Sequence, residues 1–254
     1  MATQSHPTVS YTKSFAIAAN KAVYWFSREW MFFFSGILVF YVILLFAAPL
    51  FMRLGWNKLG MDIYNVYSYL CHQLPQRSYF LFGQKASYTL GEIQSAWQNT
   101  IDPLILKQFI GNSGFGWKMA WSDRMFSMYT SIPVIAWIWW PLRKRITPLG
   151  IYEFIILLLP MVIDGASHTV SDQAGIGQGF RDSNGWLATI TGNLLSPAFY
   201  AGDALGSFNS SMRLISGLSF GLAIVWFGFP YLDEFFNEKI KRIEKKFQRA
   251  GVPL

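Results

Sequence analysis

One cysteine, Cys71, stands in 254 residues. A single thiol excludes an intramolecular disulfide, a zinc ribbon and a Cys-x-x-Cys redox pair. Charge is scarce as well, at 14% of residues, where an ordinary soluble domain carries about 25%. That shortage excludes a soluble surface over most of the chain. No internal repeat is visible, so a transporter built from inverted repeats finds no support. A cleavable secretory signal is also missing. The first apolar run begins at Met31, is too long for a signal core and lacks a small-residue cleavage site, so a retained signal-anchor is expected.

What is present is apolar: 52% hydrophobic and 18% aromatic, with 21 Lys+Arg against 14 Asp+Glu for a net charge of +7. A bilayer core of about 30 Å needs roughly 20 apolar residues of helix. Four windows approach that: Met31–Met52, Met125–Leu142, Pro148–Ile163 with Glu153 near its start, and Leu214–Leu232. Backbone groups in lipid must be paired within the segment, so each window is expected to be helical.

Lysine and arginine then set the orientation. Lys13, Lys21 and Arg28 precede the first window, Arg143-Lys144-Arg145 separates the second from the third, and Lys239 to Arg249 follows the fourth. Four spans put all three groups on one side, the cytoplasmic one. The expected fold is an all-α membrane protein, a single membrane domain over 1–254, N-in and C-in, in the cytoplasmic membrane. Outer loops at 53–122 and 168–211 would fold together as a cap, because Trp97, Trp117, Trp121, Phe180 and Trp186 supply apolar surface to bury. In the first loop, Ile63, Val66, Tyr67, Leu70 and Leu74 predict a helix over Met61–Leu74 that Pro75 ends. The N-terminal arm (Phe15, Ala19, Val23, Phe26) and the tail at 233–254 (Phe236, Ile240, Ile243, Phe247) keep helical spacing among lysines. Both read as interfacial helices whose basic residues meet lipid headgroups.

Polar residues sort by this topology. Cys71, His72, Gln73, Arg77, Asp123, Arg124, Asp164, His168, Asp172, Arg181, Asp182 and Asp203 all fall on the outer side. Ionisable groups at membrane depth are expensive and mark functional sites. Asp164 closes an apolar helix, and His168 and Asp172 follow at four-residue steps, on one face if the helix survives Gly165. Imidazole and carboxylate there start a divalent-metal site that Cys71 and His72 would complete. The plainer reading pairs Asp164 with Arg124 or Arg213. Cys71 packs as a small hydrophobe unless a base lies beside it. Gly175-Ile176-Gly177-Gln178-Gly179 has no preceding strand and no Gly-Lys-Ser/Thr, so it is a turn rather than a phosphate loop. Gly217 and Gly221 mark close helix packing, within the bundle or by self-association with another copy. Lysines that flank spans leave no nucleic-acid footprint.

Cys71-His72-Gln73-Leu74-Pro75-Gln76-Arg77-Ser78 closely resembles the Cys-His-Gln-x-Pro-x-Arg-Ser signature of a prokaryotic multi-pass membrane-protein family known as domain of unknown function 2085. A second family signature, Cys-x-Arg-Cys-Thr-Gly-x-Tyr, aligns with Ser122 to Tyr129, where Arg124 and Tyr129 match and both cysteines are replaced. Pro160 with Asp164-Gly165, and Asn209, Arg213 and Ser216-Gly217, are similar to two further signatures. The resemblance runs from about Tyr64 to Tyr231. It implies a small helical membrane protein without an established activity. Cys/His metal ligation is reasonable in relatives that keep three cysteines, and Asp123 would stand in for one ligand here.

The leading expectation is a scaffold, accessory subunit or binding module with a polar site at the outer interface. Cys71, His72, Gln73, Arg77, Asp123, Arg124, Asp164 and Arg213 would form it. The rival is a metal-dependent membrane enzyme with a divalent ion on His72, Asp164 and His168. An oligomeric transporter is third. Lipid and partner subunits are the expected partners.

Overall fold

A computed structural model describes residues 8–254, with side chains from residue 13 onward. An amphipathic helix, α1 (Thr8–Arg28), leads into the apolar rod α2 (Trp30–Arg53) and the short α3 (Asn57–Ser68). The first long connection holds strand β1 (Ser78–Leu81), helices α4 (Leu90–Ala96) and α5 (Pro103–Leu106), and strands β2 (Gly111–Asn112) and β3 (Gly116–Ser122). Two rods follow, α6 (Asp123–Leu142) and α7 (Ile151–Asp172). The second connection carries α8 (Phe180–Ser183), α9 (Gly185–Ile190) and α10 (Pro197–Tyr200). Then α11 (Phe208–Ala223) runs through a π-helical stretch, Ile224–Gly228, into α12 (Phe229–Ala250).

The chain is mostly helical, and among the described residues three helices are long and apolar enough to cross a membrane: Trp30–Arg53, Ile151–Asp172 and the continuous Phe208–Ala250. The expected span at Met125–Leu142 is the helix α6, but its serines, threonine, tyrosine and three tryptophans lower its hydropathy below that of the other three. α11 packs against both α6 and α7, and α2 against α6.

The tight contact is between α6 and α11. A Cβ added to Gly217 would lie 2.5 Å from Ser127 Oγ, and one on Gly221 would lie 2.0 Å from Ser131 Oγ. Ser127 Oγ donates to the Leu214 carbonyl at 2.7 Å, so small residues bring the helix backbones together and hydroxyls bond across. Gly217 and Gly221 are therefore buried within the chain, and the expected self-association through them is corrected: that face is already covered.

Pro230 explains the π-helical stretch. It has no N–H to give the carbonyl of Trp226 four residues back. That carbonyl instead accepts from Leu149 N at 3.4 Å, while Trp226 Nε1 donates to the Thr147 carbonyl at 2.8 Å. The turn between α6 and α7 is thereby latched to α11–α12.

One end of the bundle gathers the basic segments. Arg143 pairs with Asp233 at 3.6 Å, and Trp30 stacks on Phe236 with centroids 5.4 Å apart. α1 lies along α12, where Lys246 Nζ donates to Asn20 Oδ1 at 3.3 Å. It turns Ile17, Asn20, Tyr24 and Ser27 inward and leaves Phe15, Val23 and Trp25 exposed.

The other end departs from the all-α expectation. An antiparallel sheet in the order β1-β3-β2 pairs Phe80 with Lys118 and Gly111 with Trp117. β3 carries no alternating pattern because it is buried on both faces, Met119, Ala120 and Trp121 consecutively. Gly116 must be glycine: its φ is +76°, and a Cβ would fall 2.2 Å from the Leu81 carbonyl oxygen. Below the sheet, Leu45, Tyr64, Tyr67 and Trp121 form one apolar core, and Leu74, Phe80, Ile93, Leu106 and Phe109 form a second.

Two boundary expectations change. The helix predicted over Met61–Leu74 ends at Ser68, because Gln73 turns back in a left-handed conformation (φ 52°) and its Nε2 donates to the Tyr64 carbonyl at 2.8 Å. Conversely, α7 passes through Gly165 to Asp172, since the helical backbone needs no side chain there.

Candidate functional site

Three helix ends meet opposite the basic segments: the start of α6, the end of α7 and the start of α11. Ser122, immediately before α6, is held by pairing with Ser78, and this brings the Cys71–Arg77 segment alongside. Each helix end contributes charge. Arg77 donates from both terminal nitrogens to Asp172, at 2.7 Å each, and from Nε to Asp203 at 2.7 Å. Asp203 accepts from Arg213 Nη1 at 2.7 Å, and Arg213 Nε donates to Asp123 at 2.7 Å. Beside this chain, Asp164 accepts from Arg124 Nη2 at 2.7 Å and from Arg181 Nη2 at 2.9 Å.

Four arginines thus alternate with four aspartates in a lattice whose formal charge cancels. Neutrality is what makes the burial tolerable, because a lone ion there would meet a desolvation penalty of several kcal/mol. Asn209 locks the frame: its amide donates to the carbonyls of Arg181 (2.6 Å) and Gly202 (2.9 Å), and its Oδ1 accepts from Arg181 Nε at 3.0 Å. Asn184, left-handed at φ 45°, donates to the Arg181 and Tyr200 carbonyls at 2.7 Å each. Burial alone would raise the carboxyl of Asp203, but Arg213 and Arg77 outweigh it and hold that group well below the usual carboxylate range. Burial likewise works against the charge of Arg77, yet Asp203 and Asp172 keep its guanidinium above the ordinary value.

His168 sits inside the lattice. Its Nε2 lies 3.2 Å from Arg181 Nη2 and 3.4 Å from Arg213 Nη1. Guanidinium nitrogens only donate, so Nε2 accepts and the ring proton belongs to Nδ1. Asp164 Oδ1 is 3.8 Å away. The expected metal set is therefore not assembled. Its imidazole nitrogen is engaged by two cations and His72 is exposed. Among the described residues, no group of three His, Cys, Asp or Glu side chains converges as metal ligands.

Cys71 and His72 lie in the turn after α3, not on a helix. The backbone N–H groups of Gln73 and Ser122 donate to Cys71 Sγ, 3.4 Å each, and the thiol donates to Ser122 Oγ at 3.6 Å. Gln73 is buried and structural. Lys118, which the sequence reading passed over, is wholly buried on β3, and its Nζ donates to the carbonyls of Gln73 at 2.9 Å and Lys107 at 2.5 Å. Burial lowers it to about 7. A lone lysine inside the apolar run Gly116–Ser122 was the available signal.

A cavity of about 440 Å³ opens beside the lattice, within the ~300–1,000 Å³ of small-molecule sites. Arg77, Arg124, Arg213 and Asp172 form its polar wall, with Cys71 and His72 at one edge. Of the residues expected to build the site, Arg77, Asp123, Arg124, Asp164 and Arg213 meet in one network. Asp172, Arg181 and Asp203 join them with roles that a loop position alone did not reveal.

Residues 113–202 match the family described as "Predicted membrane protein (DUF2085)". The uncharacterized protein MJ1492 of Methanocaldococcus jannaschii is 30% identical over 163 residues, covering 61% of this chain and 77% of that protein. The chain belongs to this family of predicted membrane proteins. The matched segment holds Asp123, Arg124, Asp164, His168 and Arg181, whereas Cys71–Arg77 and Arg213 lie outside it. No solved structure matches the chain.

Proposed function

We propose that this protein is a non-enzymatic binding module of the cytoplasmic membrane, a four-span bundle with both termini inside and its ligand cavity facing out. The cavity beside the Arg/Asp lattice carries the reading. Its guanidiniums are held by buried carboxylates before any ligand arrives, and such preorganisation removes part of the ordering cost of binding. The cap formed by the sheet and the short helices walls it on one side.

The four-span arrangement is supported by α6. Its 20 residues make about 30 Å of helix, the thickness of a hydrocarbon core, and it packs between α2 and α11. The basic groups collect at the opposite end from the lattice, which favours that end as cytoplasmic. With Cys71→Ser as background, Lys144→Cys tests the orientation: an impermeant maleimide applied to intact cells should leave it unlabelled.

The binding reading is tested with the full-length protein in nanodiscs, by thermal unfolding against a chemically varied panel of small acids, bases and neutral compounds. At least one class should stabilise the wild type and lose its effect in Arg124→Gln. A panel without any such shift, together with native mass spectra free of bound small molecules, overturns the reading.

A further inference from the structure

We propose that the cavity takes an amphiphile with a single anionic oxygen head, such as a long-chain carboxylate or phosphate monoester drawn from the bilayer. This deepens the binding-module reading and rests on it.

The lattice is polarised across the cavity wall. Arg77, Arg124 and Asp172 line the cavity with side chains 11%, 22% and 26% exposed, and Arg213, 2% exposed, backs them. Asp123, Asp164 and Asp203 stand behind them, each side chain 3% exposed or less. Asp172 is already matched by the two-point contact from Arg77. The wall therefore presents donors, while most of the matching acceptors are turned away.

Arg124 is the donor with capacity to spare. Arg77 and Arg213 commit all three guanidinium nitrogens to aspartates. Arg124 gives Nε and Nη2 to Asp164, while its Nη1 has no hydrogen-bond partner among the described residues and its side chain is 22% exposed. A guanidinium anchored on one edge and open on the other is suited to a carboxylate or phosphate oxygen. A cationic ligand would meet the like charges of Arg77 and Arg124, and a neutral one would leave the open edge of Arg124 unused.

Beyond the charged groups the lining is mixed, with His72, Gln73, Ser122 and Thr169 as polar members and a larger apolar share. Leu70, Leu74, Ile101, Pro103, Met125 and Ile176 supply that apolar share. In an adjoining pocket that shares Cys71, His72 and Pro103 with the cavity, Tyr69, Leu70 and Leu104 are exposed. Exposed apolar side chains gathered at helix ends mark contact with lipid in a spanning protein, so the ligand enters from the bilayer with its tail along this wall.

Cys71 supplies the readout, being the one thiol in the chain and part of the cavity wall. Full-length protein in phosphatidylcholine nanodiscs is reacted with a maleimide in the presence of decyl phosphate, decanol, decyltrimethylammonium or inorganic phosphate. Unfolding temperature is followed with the same four probes. Decyl phosphate should slow labelling at least tenfold and raise the unfolding temperature, with less than a twofold effect from the others. Arg124→Gln should reduce decyl phosphate to the level of decanol, and Arg124→Lys should recover part of the difference. Ile101→Trp, which fills the apolar wall and leaves the lattice intact, should abolish protection while keeping the wild-type circular dichroism. Equal protection by decanol or decyltrimethylammonium overturns the anionic head but leaves a binding module. Equal protection by inorganic phosphate overturns the tail. No effect of any probe on labelling or on unfolding overturns the amphiphile, and the binding-module reading falls only if the wider panel above fails too.

Discussion

Asp203→Asn tests the lattice at its most connected point. Asp203 Oδ2 accepts from Arg77 and Oδ1 from Arg213, at 2.7 Å each, and the group is buried. An asparagine keeps the shape and one acceptor. Its amide nitrogen must then face either Arg77 Nε or Arg213 Nη1, donor against donor, and two buried guanidiniums lose a shared counterion. Breaking a buried pair from one side costs about 3–5 kcal/mol, because it strands the partner charge. For a protein of this size that corresponds to a fall in unfolding temperature of about 10 °C. The assay is equilibrium and thermal unfolding in mixed micelles, with Arg77→Met and the double variant completing a cycle. The double variant should lose clearly less than the sum of the singles, since Arg77 no longer needs the carboxylate. Acid titration adds a second reading. The native carboxyl is held below its unfolded value, so its contribution is present above about pH 4 and is lost as the pH falls through the native value. Asp203→Asn should lack that part of the acid transition. A variant within about 0.5 kcal/mol of wild type, unfolding along the same acid curve, would refute an ionised lattice.

Lys118 gives the opposite pH dependence. Its native value near 7 lies below the unfolded one, so the unfolded chain binds the extra proton between about pH 7 and 10. Stability should rise with pH across that window by up to about 1.4 kcal/mol per unit, and Lys118→Met should remove that slope in denaturant titrations at pH 7, 8 and 9. Gly221→Ala should cost about 1–3 kcal/mol by overpacking, since its Cβ would sit 2.0 Å from Ser131 Oγ, and adding Ser131→Gly should restore part of it. Ser122→Cys places a second sulfur beside Cys71 Sγ, where Ser122 Oγ now lies 3.6 Å away. Oxidation should consume both thiols, with a mass loss of about two hydrogens, and closing a loop of this length should add up to about 4 kcal/mol. Persistent free thiols after oxidation would sink that geometry.

Asp164, Arg124 and Arg213 stood out because a charge at the end of an apolar helix is expensive enough to demand a partner. The Asp164–Arg124 pair was among the pairings expected, and the structure has it at 2.7 Å. Arg213 was the other candidate and instead bonds Asp123 and Asp203. No spacing encodes that choice, since the partners are 90 and 10 residues away. Arg181 and Asp203 were grouped only by their outer-side position, and the fold of the second connection drives them into the core. The metal reading rested on Asp164, His168 and His72 being near one another. It fails because Nε2 of His168 is engaged by Arg181 and Arg213, while His72 is exposed at the cavity edge. The sheet was illegible for a different reason: β1 is four residues long and β3 is apolar without a period of two.

Composition and hydropathy are summed along the chain, so reading it end to end suffices for a helical membrane protein with its basic segments between and beyond the apolar runs. Local stereochemistry also lay within reach, such as the close packing promised by Gly217 and Gly221. Tertiary structure decided which arginine meets which aspartate, because those bonds join residues up to 126 positions apart and are selected by the convergence of three helix ends. It also decided that the glycine pair serves α6 within the chain, and that a cavity remains with arginines on one wall and apolar side chains on the other. Those outcomes depend on what is left unfilled once rods and cap have packed, a property of the whole volume that no stretch of sequence carries.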